Sequence, residues 1–496
     1  MVSSLAAHVL PLALGAAPWA GVSSRDLVRR VPGRRGARRG ARWATRRDLS
    51  SLRVRPGATP PGRLLLGTTA ALAGPAGIAT EPGQSVIVIG PTQSGKTTSL
   101  AVPAILGWPG PVVAASVKSD LVRDTLAARR SIGRVWRIDP AGSTGGPSDT
   151  WSPIDGCRDW RQACRLAADL CHGARAEGVT TDGDFWYATA AKLLAPLLLA
   201  AAADRRSMAD VVRWVDIQEV GEVAEILEHT GSLDALNAAR ATWCRDERTR
   251  SSVYTTAETV LAPFAQGPPP AASMRFEPAH LLGGAHTVYL CAPAHDQRRQ
   301  RGYFTALTQQ VLHLAFERAT SSGCPLNPPL LVVLDETAHI APLAELDGLA
   351  ATCASHGVQI VTIWQDVAQV RARYGPRAAT VLNNHRAKMF LPGIADPDTL
   401  DYASRLVGDE EVTLPTVTRE HDGRRSTTST TAPRRLLPPE ELRCLPQGQA
   451  VLVYGTLPPV RVRLRPWWAA GGSSSQVGTE AQESAKLHGG RGWIVR

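Results

Sequence analysis

Eight consecutive residues, Gly90-Pro91-Thr92-Gln93-Ser94-Gly95-Lys96-Thr97, fit the phosphate-binding pattern G-x-x-x-x-G-K-[ST] without a mismatch. Each residue type has a physical reason to be there. Gly90 and Gly95 allow backbone N–H groups to approach a phosphate, and Thr92, Gln93 and Ser94 form the bend between them. The Lys96 ammonium can bridge the outer phosphates of a nucleoside triphosphate, and the Thr97 hydroxyl can ligate Mg²⁺, with Thr98 next in the following helix. Lysine occurs only at Lys96, Lys118, Lys192, Lys388 and Lys486, and arginine supplies the other basic residues. A chain that otherwise uses arginine keeps lysine where a compact ammonium is needed.

A second constellation lies far along the chain. The apolar run Leu330–Leu334 ends in Asp335-Glu336. In a nucleoside triphosphatase Asp335 would hold the metal and Glu336 would orient and polarise the attacking water. Another run, Gln359–Ile363, is followed by Trp364-Gln365-Asp366. Gln365 is the candidate sensor of the terminal phosphate, and Asp366 is either a second polar contact or a helix cap. Arg371, Arg373 and Arg377 follow. One of them could reach a nucleotide in a neighbouring subunit, although exposed helix arginines are the commoner meaning. The cofactors these residues call for are a nucleoside triphosphate and Mg²⁺.

Such residues must be delivered by strand ends and helix starts. Ser85–Ile89 before the loop, Pro111–Ala115, Arg134–Ile138, His286–Leu290, Leu330–Leu334, Gln359–Ile363, Lys388–Leu391 and Ala450–Tyr454 read as strands. They alternate with helical segments, which predicts an α/β fold with a mostly parallel sheet. The helix after the loop is expected to break at Pro103 and Gly107. Between about Cys157 and Phe264 strand signals fade and helical periodicity dominates, which predicts an inserted all-α domain. Ala188–Ala203 within it is apolar, but Lys192, Pro196 and its length favour a buried core helix over a membrane span.

Composition excludes several classes. Eight scattered cysteines without a C-x-x-C pair suggest neither a disulfide framework nor a zinc site. The net charge of +11 is concentrated: ten arginines lie between Arg25 and Arg47 against Asp26 alone, leaving the body near neutral. Apolar residues Leu5–Val22 precede that run, the order of a membrane segment with a basic cytoplasmic flank and the reverse of a secretory signal. The predicted organisation is therefore an apolar candidate anchor at 1–24, a basic juxtamembrane or linker segment at 25–60, and the first part of the nucleotide domain at 61–155. The inserted all-α domain at 156–270, the second part of the nucleotide domain at 271–468 and a tail at 469–496 follow.

Taken together the motifs resemble the coupling proteins of type IV secretion and bacterial conjugation, the TraG/TraD family. The similarity runs over roughly residues 82–468. It is carried by the loop Val86–Thr98, by Trp108–Asp120, by Ile138-Asp139-Pro140 and by Asp184-Phe185-Trp186. Its most specific part runs from His356-Gly357 through Gln365, Tyr374-Gly375, Asn383-Asn384, Asp396 and Thr399 to Gly408. The family often has Asp where this chain has Ser116, and Asn where it has Ser152. The resemblance implies a RecA-like P-loop ATPase related to FtsK and HerA motors, membrane-attached on the cytoplasmic face and assembling as a homo-hexamer. Implied partners are DNA, a relaxase or secreted protein substrate, and the type IV secretion channel. The basic segment adds an anionic membrane surface. Alternatives are an FtsK-like DNA translocase and a substrate receptor that uses ATP as an assembly switch.

Overall fold

The structure, a computed structural model, describes residues 40–55, 59–69, 76–175, 181–265, 273–419 and 425–470. The apolar stretch Leu5–Val22, the arginines from Arg25 to Arg39 and the tail from Gly471 lie outside the described residues.

In chain order the strands are β1 (Arg53–Val54), β2 (Leu65–Thr69), β3 (Ala76–Ala79), β4 (Val86–Ile89), β5 (Val112–Ser116), β6 (Val135–Ile138) and β7 (Thr287–Cys291). There follow β8 (Leu330–Leu334), β9 (Val358–Trp364), β10 (Ala387–Phe390), β11 (Asp409–Arg419), β12 (Arg425–Arg435), β13 (Gln449–Tyr454) and β14 (Val460–Arg463). Twelve of them form one sheet in the order β1-β3-β2-β14-β13-β10-β4-β9-β8-β5-β7-β6, and β11 and β12 pair only with each other. From β10 to β6 every pairing is parallel, and from β10 to β1 every pairing is antiparallel. The α/β class with a mostly parallel central sheet is what the alternation of elements predicts.

The helices up to the second half of the sheet are α1 (Val102–Leu106), α2 (Asp120–Ile132), α3 (Trp160–Ala174), α4 (Thr181–Ala203) and α5 (Met208–Asp216). Next come α6 (Gly221–Thr230), α7 (Leu233–Trp243), α8 (Glu247–Leu261), α9 (Pro278–Leu281), α10 (Gln297–Ser322), α11 (Thr337–Ile340), α12 (Leu346–Thr352) and α13 (Val367–Tyr374). Strand alternation divides the core between the two faces of the sheet. Val86, Val88, Val112, Ala114, Leu331 and Val333 pack with Val102, Ile105, Leu121 and Val122 of α1 and α2. Ile87, Ile89, Val113, Leu330, Val332 and Leu334 face the other way and share one cluster with α3 to α8.

That shared cluster modifies the expected all-α domain. The helices do lie between β6 and β7, but their core is continuous with the core of the sheet. Helix α3 packs closely on α10: a Cβ at Gly173 would meet Gly302 Cα at 2.8 Å and Thr305 Cβ at 2.6 Å. Helix α4 is the one described helix long and apolar enough to cross a membrane, over Gly183–Ala203 with a mean hydropathy of 1.4. Leu193, Leu194, Leu197 and Leu198 are buried in the block, which is the core role expected of it.

Three readings need correction. Residues 25–60 are not a linker over their described part: Leu49 and Leu52 are buried, and β1 joins the sheet. The Ala41 and Ala44 N–H groups donate to Asp409 and Pro459 carbonyls, and Arg42 clamps Asp48 with two bonds of 2.6 and 2.8 Å. A few apolar residues and paired backbone groups suffice to lay a basic segment onto the body. The nucleotide domain accordingly begins before residue 61, with β1 at Arg53. Finally, the helix after the loop does not break at Pro103. A wide π-turn over Thr97–Ala101 leads directly into α1, and Pro103 stands in the first turn of α1 without ending the helix, which runs on to Leu106.

The N-terminal edge of the parallel strands is fastened by one side chain. Arg129 of α2 is fully buried. It donates to Trp108 O (2.6 Å), Gly110 O (2.7 Å) and Thr287 Oγ1 (2.7 Å), with longer contacts to Ile105, Ala285 and His286 carbonyls. Burial lowers its pKa, and every hydrogen-bond acceptor around it is neutral. At the far edge of the sheet, the Asp149 side chain accepts from the Arg137 N–H and its own N–H donates to Arg137 O, while Ser148 Oγ takes the Asp139 N–H. These bonds close the outer side of β6.

Arg129→Met keeps the aliphatic bulk but leaves several buried carbonyls unpaired. It should lower unfolding stability by about 3 kcal/mol or more, read as a drop in the urea midpoint.

Candidate nucleotide site

The carboxyl ends of β4, β9, β8 and β5 stand side by side, and each delivers a polar group to one edge. β4 runs into the glycine loop. The Gly90 N–H donates to Trp364 O at 3.1 Å, tying the loop's start to the end of β9. A Cβ at Gly90 would sit 2.8 Å from Leu391 Cβ and 2.9 Å from Ser94 Oγ, so no larger residue fits without moving the loop. The bend itself needs left-handed backbone at Gln93 (φ 64°) and Gly95 (φ 89°). Thr92 and Gln93 are exposed, Ser94 and Thr98 are half-buried, and Ser94 Oγ donates to Pro91 O at 2.8 Å.

Lys96 is buried, and its ammonium donates to the carbonyls of Gly90 and, at 3.1 Å, Pro91. Burial lowers its pKa, opposed by the nearby carboxylates of Asp335 and Glu336. Thr97 Oγ1 donates to Asp335 Oδ2 at 3.0 Å. The two candidate metal-binding side chains, 238 residues apart in sequence, are therefore in direct contact. Asp335 is buried, and burial pushes its pKa up to about 6 against the Thr97 hydrogen bond that lowers it. A carboxylate in this position gains from a nearby cation.

Glu336 is half-buried and adopts a left-handed conformation (φ 62°, ψ 57°) that turns the chain from β8 into α11. A non-glycine residue held at positive φ beside two candidate metal ligands fits a position selected for its side chain. Gln365 directly follows β9, which lies between the loop strand and the carboxylate strand. Its N–H donates to Gln369 Oε1 at 3.0 Å. Asp366 is the helix cap of the two roles considered: its carboxylate accepts the Gln369 N–H at 2.8 Å at the start of α13.

In the sequence Ser116 stands out only as a departure from the Asp common in the family the chain resembles, not as a site residue. It ends β5, next to β8, and its hydroxyl lies 3.4 Å from Asp335 Oδ2. Only the strand order could have revealed it, because nothing in the sequence says that β5 and β8 are neighbours. The three arginines beyond Gln365 are engaged within the chain. Arg371 pairs with Asp398 and Arg377 with Asp347, while Arg373 donates to the His172 and Arg175 carbonyls, both at 3.1 Å.

The residues present suit a phosphate-bound magnesium ion. Among the described residues no group of three or more His, Cys, Asp or Glu could hold a metal by itself. A cation here would share its ligands between Thr97, Asp335 and phosphate oxygens, the way Mg²⁺ is usually held.

A family model described as type IV secretory system conjugative DNA transfer matches residues 48–488. The conjugal transfer protein TraG of Escherichia coli is 25% identical over 467 residues, covering 82% of this chain and 70% of that protein. VirD4 of Rhizobium rhizogenes is 23% identical over 395 residues, covering 76% of this chain and 57% of that protein. A second TraG is spanned over 62% of its length. Among solved structures, the unbound bacterial conjugative coupling protein TrwBdeltaN70 superposes with a TM-score of 0.62 at 19% identity, over 82% of this chain and 95% of that one. TrwB in complex with ADP and Mg²⁺ gives a TM-score of 0.59 at 19% identity, over 83% and 95%. These structural likenesses establish the fold.

Gly90→Ala should cost about 1–3 kcal/mol, the usual range for overpacking, because its new methyl collides with the Leu391 Cβ. Adding Leu391→Ala to it should not restore the loss, because alanine keeps the Cβ that is struck. Chemical denaturation of the single and double variants reads the effect.

Proposed function

The chain belongs to the type IV secretory system conjugative DNA transfer family, and from that premise we propose that it is the ATP-hydrolysing coupling protein of such a system. The observation that carries the reading is the contact between Thr97 and Asp335 at 3.0 Å, beside a buried Lys96 on the loop carbonyls. Two motifs far apart in sequence meet where a magnesium nucleotide requires them.

In this reading Gly90 to Thr98 wrap the phosphates, with backbone N–H groups and the Lys96 ammonium offsetting their charge. Lys96 would exchange its bonds to the Gly90 and Pro91 carbonyls for phosphate oxygens. Thr97 and Asp335 hold Mg²⁺, which when bound supplies charge neutralisation for phosphoryl transfer. Ser116 steadies Asp335. Glu336 orients the attacking water and accepts its proton, and Gln365 contacts the terminal phosphate or that water. Complexes of TrwB with ADP and Mg²⁺ and with non-hydrolysable ATP and GTP analogues support the cofactor assignment by analogy of fold.

The wider role follows the family. The cargo is DNA together with a relaxase or other secreted protein, delivered to a type IV secretion channel by a ring of six copies at the cytoplasmic face of the membrane. The all-α block between β6 and β7 is the proposed cargo-recognition part. The arginines outside the described residues are the proposed contact with anionic lipid.

Lys96→Ala should abolish hydrolysis, with a loss of at least a hundredfold in turnover, while the far-ultraviolet circular dichroism stays unchanged. Wild-type turnover in that variant would overturn the reading. Glu336→Gln should bind ATP with near wild-type affinity and hydrolyse it at least a hundredfold more slowly, because the metal-holding pair remains. If it fails to bind fluorescent ATP analogues, Glu336 is a ligand and not the base.

A further inference from the structure

We infer that Arg373 is a positioning residue that makes the helical block respond to the state of the nucleotide site. The inference rests on the nucleotide reading above and adds to it a route.

The route begins at Gln365, just ahead of the cap of α13, and continues along that short helix. Gln369 and Arg373 are spaced four apart, so they lie on one face of α13. Gln369 Oε1 accepts the Gln365 N–H at 3.0 Å, and the Gln369 N–H donates to Asp366 Oδ1 at 2.8 Å. The proposed sensor is thus fastened to the helix by both its peptide and the adjacent cap. One turn on, the Arg373 guanidinium leaves the helix and donates to His172 O and Arg175 O, each at 3.1 Å. Those carbonyls are the C-terminal end of α3, the first helix of the block.

The chemistry of that end suits a cation. The last carbonyls of a helix have no intrahelical partners and carry the negative end of its dipole. A second arginine from the sheet side reaches the same turn: Arg301, near the start of α10, donates to Gly173 O at 3.0 Å and Arg175 O at 2.5 Å. Helix α10 follows β7, whereas α13 follows β9, so the end of α3 is gripped by two elements leaving the sheet at different strands. Beyond the grip, Arg175 pairs with Asp184 of α4 at 2.6 Å. A small shift of Gln365 therefore reaches α3, and then α4, through rigid helix and charge-assisted bonds.

Packing makes this a place where movement would register. The close α3–α10 contact at Gly173 leaves no slack to absorb a displacement of α3. Arg371 and Arg377 offer internal comparisons. They bracket Arg373 in sequence but pair with Asp398 and Asp347 instead of the α3 carbonyls.

The test is amide hydrogen exchange on the full chain, with and without the non-hydrolysable analogue AMP-PNP and Mg²⁺. In wild type, adding nucleotide should change exchange in residues 160–203 by at least threefold. Arg373→Ala should lose most of that change at unchanged AMP-PNP affinity, Arg373→Lys should keep an intermediate change, and Arg371→Ala should behave as wild type. If wild type binds AMP-PNP but residues 160–203 do not respond, the inference fails and the nucleotide reading stands. If wild type does not bind AMP-PNP, the nucleotide reading fails, and this inference with it. A full response in Arg373→Ala would overturn the route. So would a loss that Arg373→Lys shows equally and that spreads uniformly over the chain with and without nucleotide, because that marks a merely structural residue.

Discussion

A strand covered on both faces can present a charged group to water only at its ends. The seven parallel strands from β10 to β6 are under that constraint, since β4, β5, β7, β8 and β9 are buried throughout. All the polar chemistry is therefore forced to the edges. At the carboxyl edge Lys96, Thr97, Ser116, Asp335 and Gln365 are collected from four adjacent strands. At the amino edge Arg129 ties together the loops that enter β5 and β7. One edge is left for reaction and the other is bound shut, and the same hydrophobic sheet imposes both.

The sequence was legible where a local pattern and a chemical motif coincided. Val86–Ile89 and Leu330–Leu334 are runs of β-branched and aliphatic residues ending in recognisable groups, so both strand and site could be read together. Six further strands were visible as apolar runs. The antiparallel flank was not: β1, β2, β3 and β14 are two to five residues long and half of them sit among glycines and prolines, where turn signals outweigh strand propensity. The β11–β12 hairpin was also hidden. Its sequence is rich in threonine and serine, with no sustained apolar alternation to mark it. The site shows the same limit. Lys96, Thr97, Asp335 and Glu336 announce themselves by motif, whereas Ser116 and Arg373 take their meaning from neighbours that only the fold supplies.

The helical block illustrates how a sequence boundary and a physical one differ. Periodicity changes near Cys157 and again near Phe264, which marks an inserted segment. Burial does not change there. Leu166, Leu170, Leu198 and Trp214 belong to the same apolar cluster as Ile89 and Leu334. A block joined in this way cannot swing as an independent body without exposing core. Any response it makes to the sheet must be a sliding or tilting of packed helices, the small-amplitude kind of motion.

The two margins of the large sheet carry a further consequence. One ends in β1, only two residues long, and the other in β6, whose outer hydrogen-bonding groups at Arg137 and Asp139 are taken by Asp149 and Ser148. An open strand edge is a template for pairing with another chain, and both templates here are blunted. Among the described residues, neither margin of the large sheet presents a long open edge to a second copy. A contact between copies at those margins would run through side chains and loops, which can loosen and re-form more readily than a continuous ladder of backbone bonds.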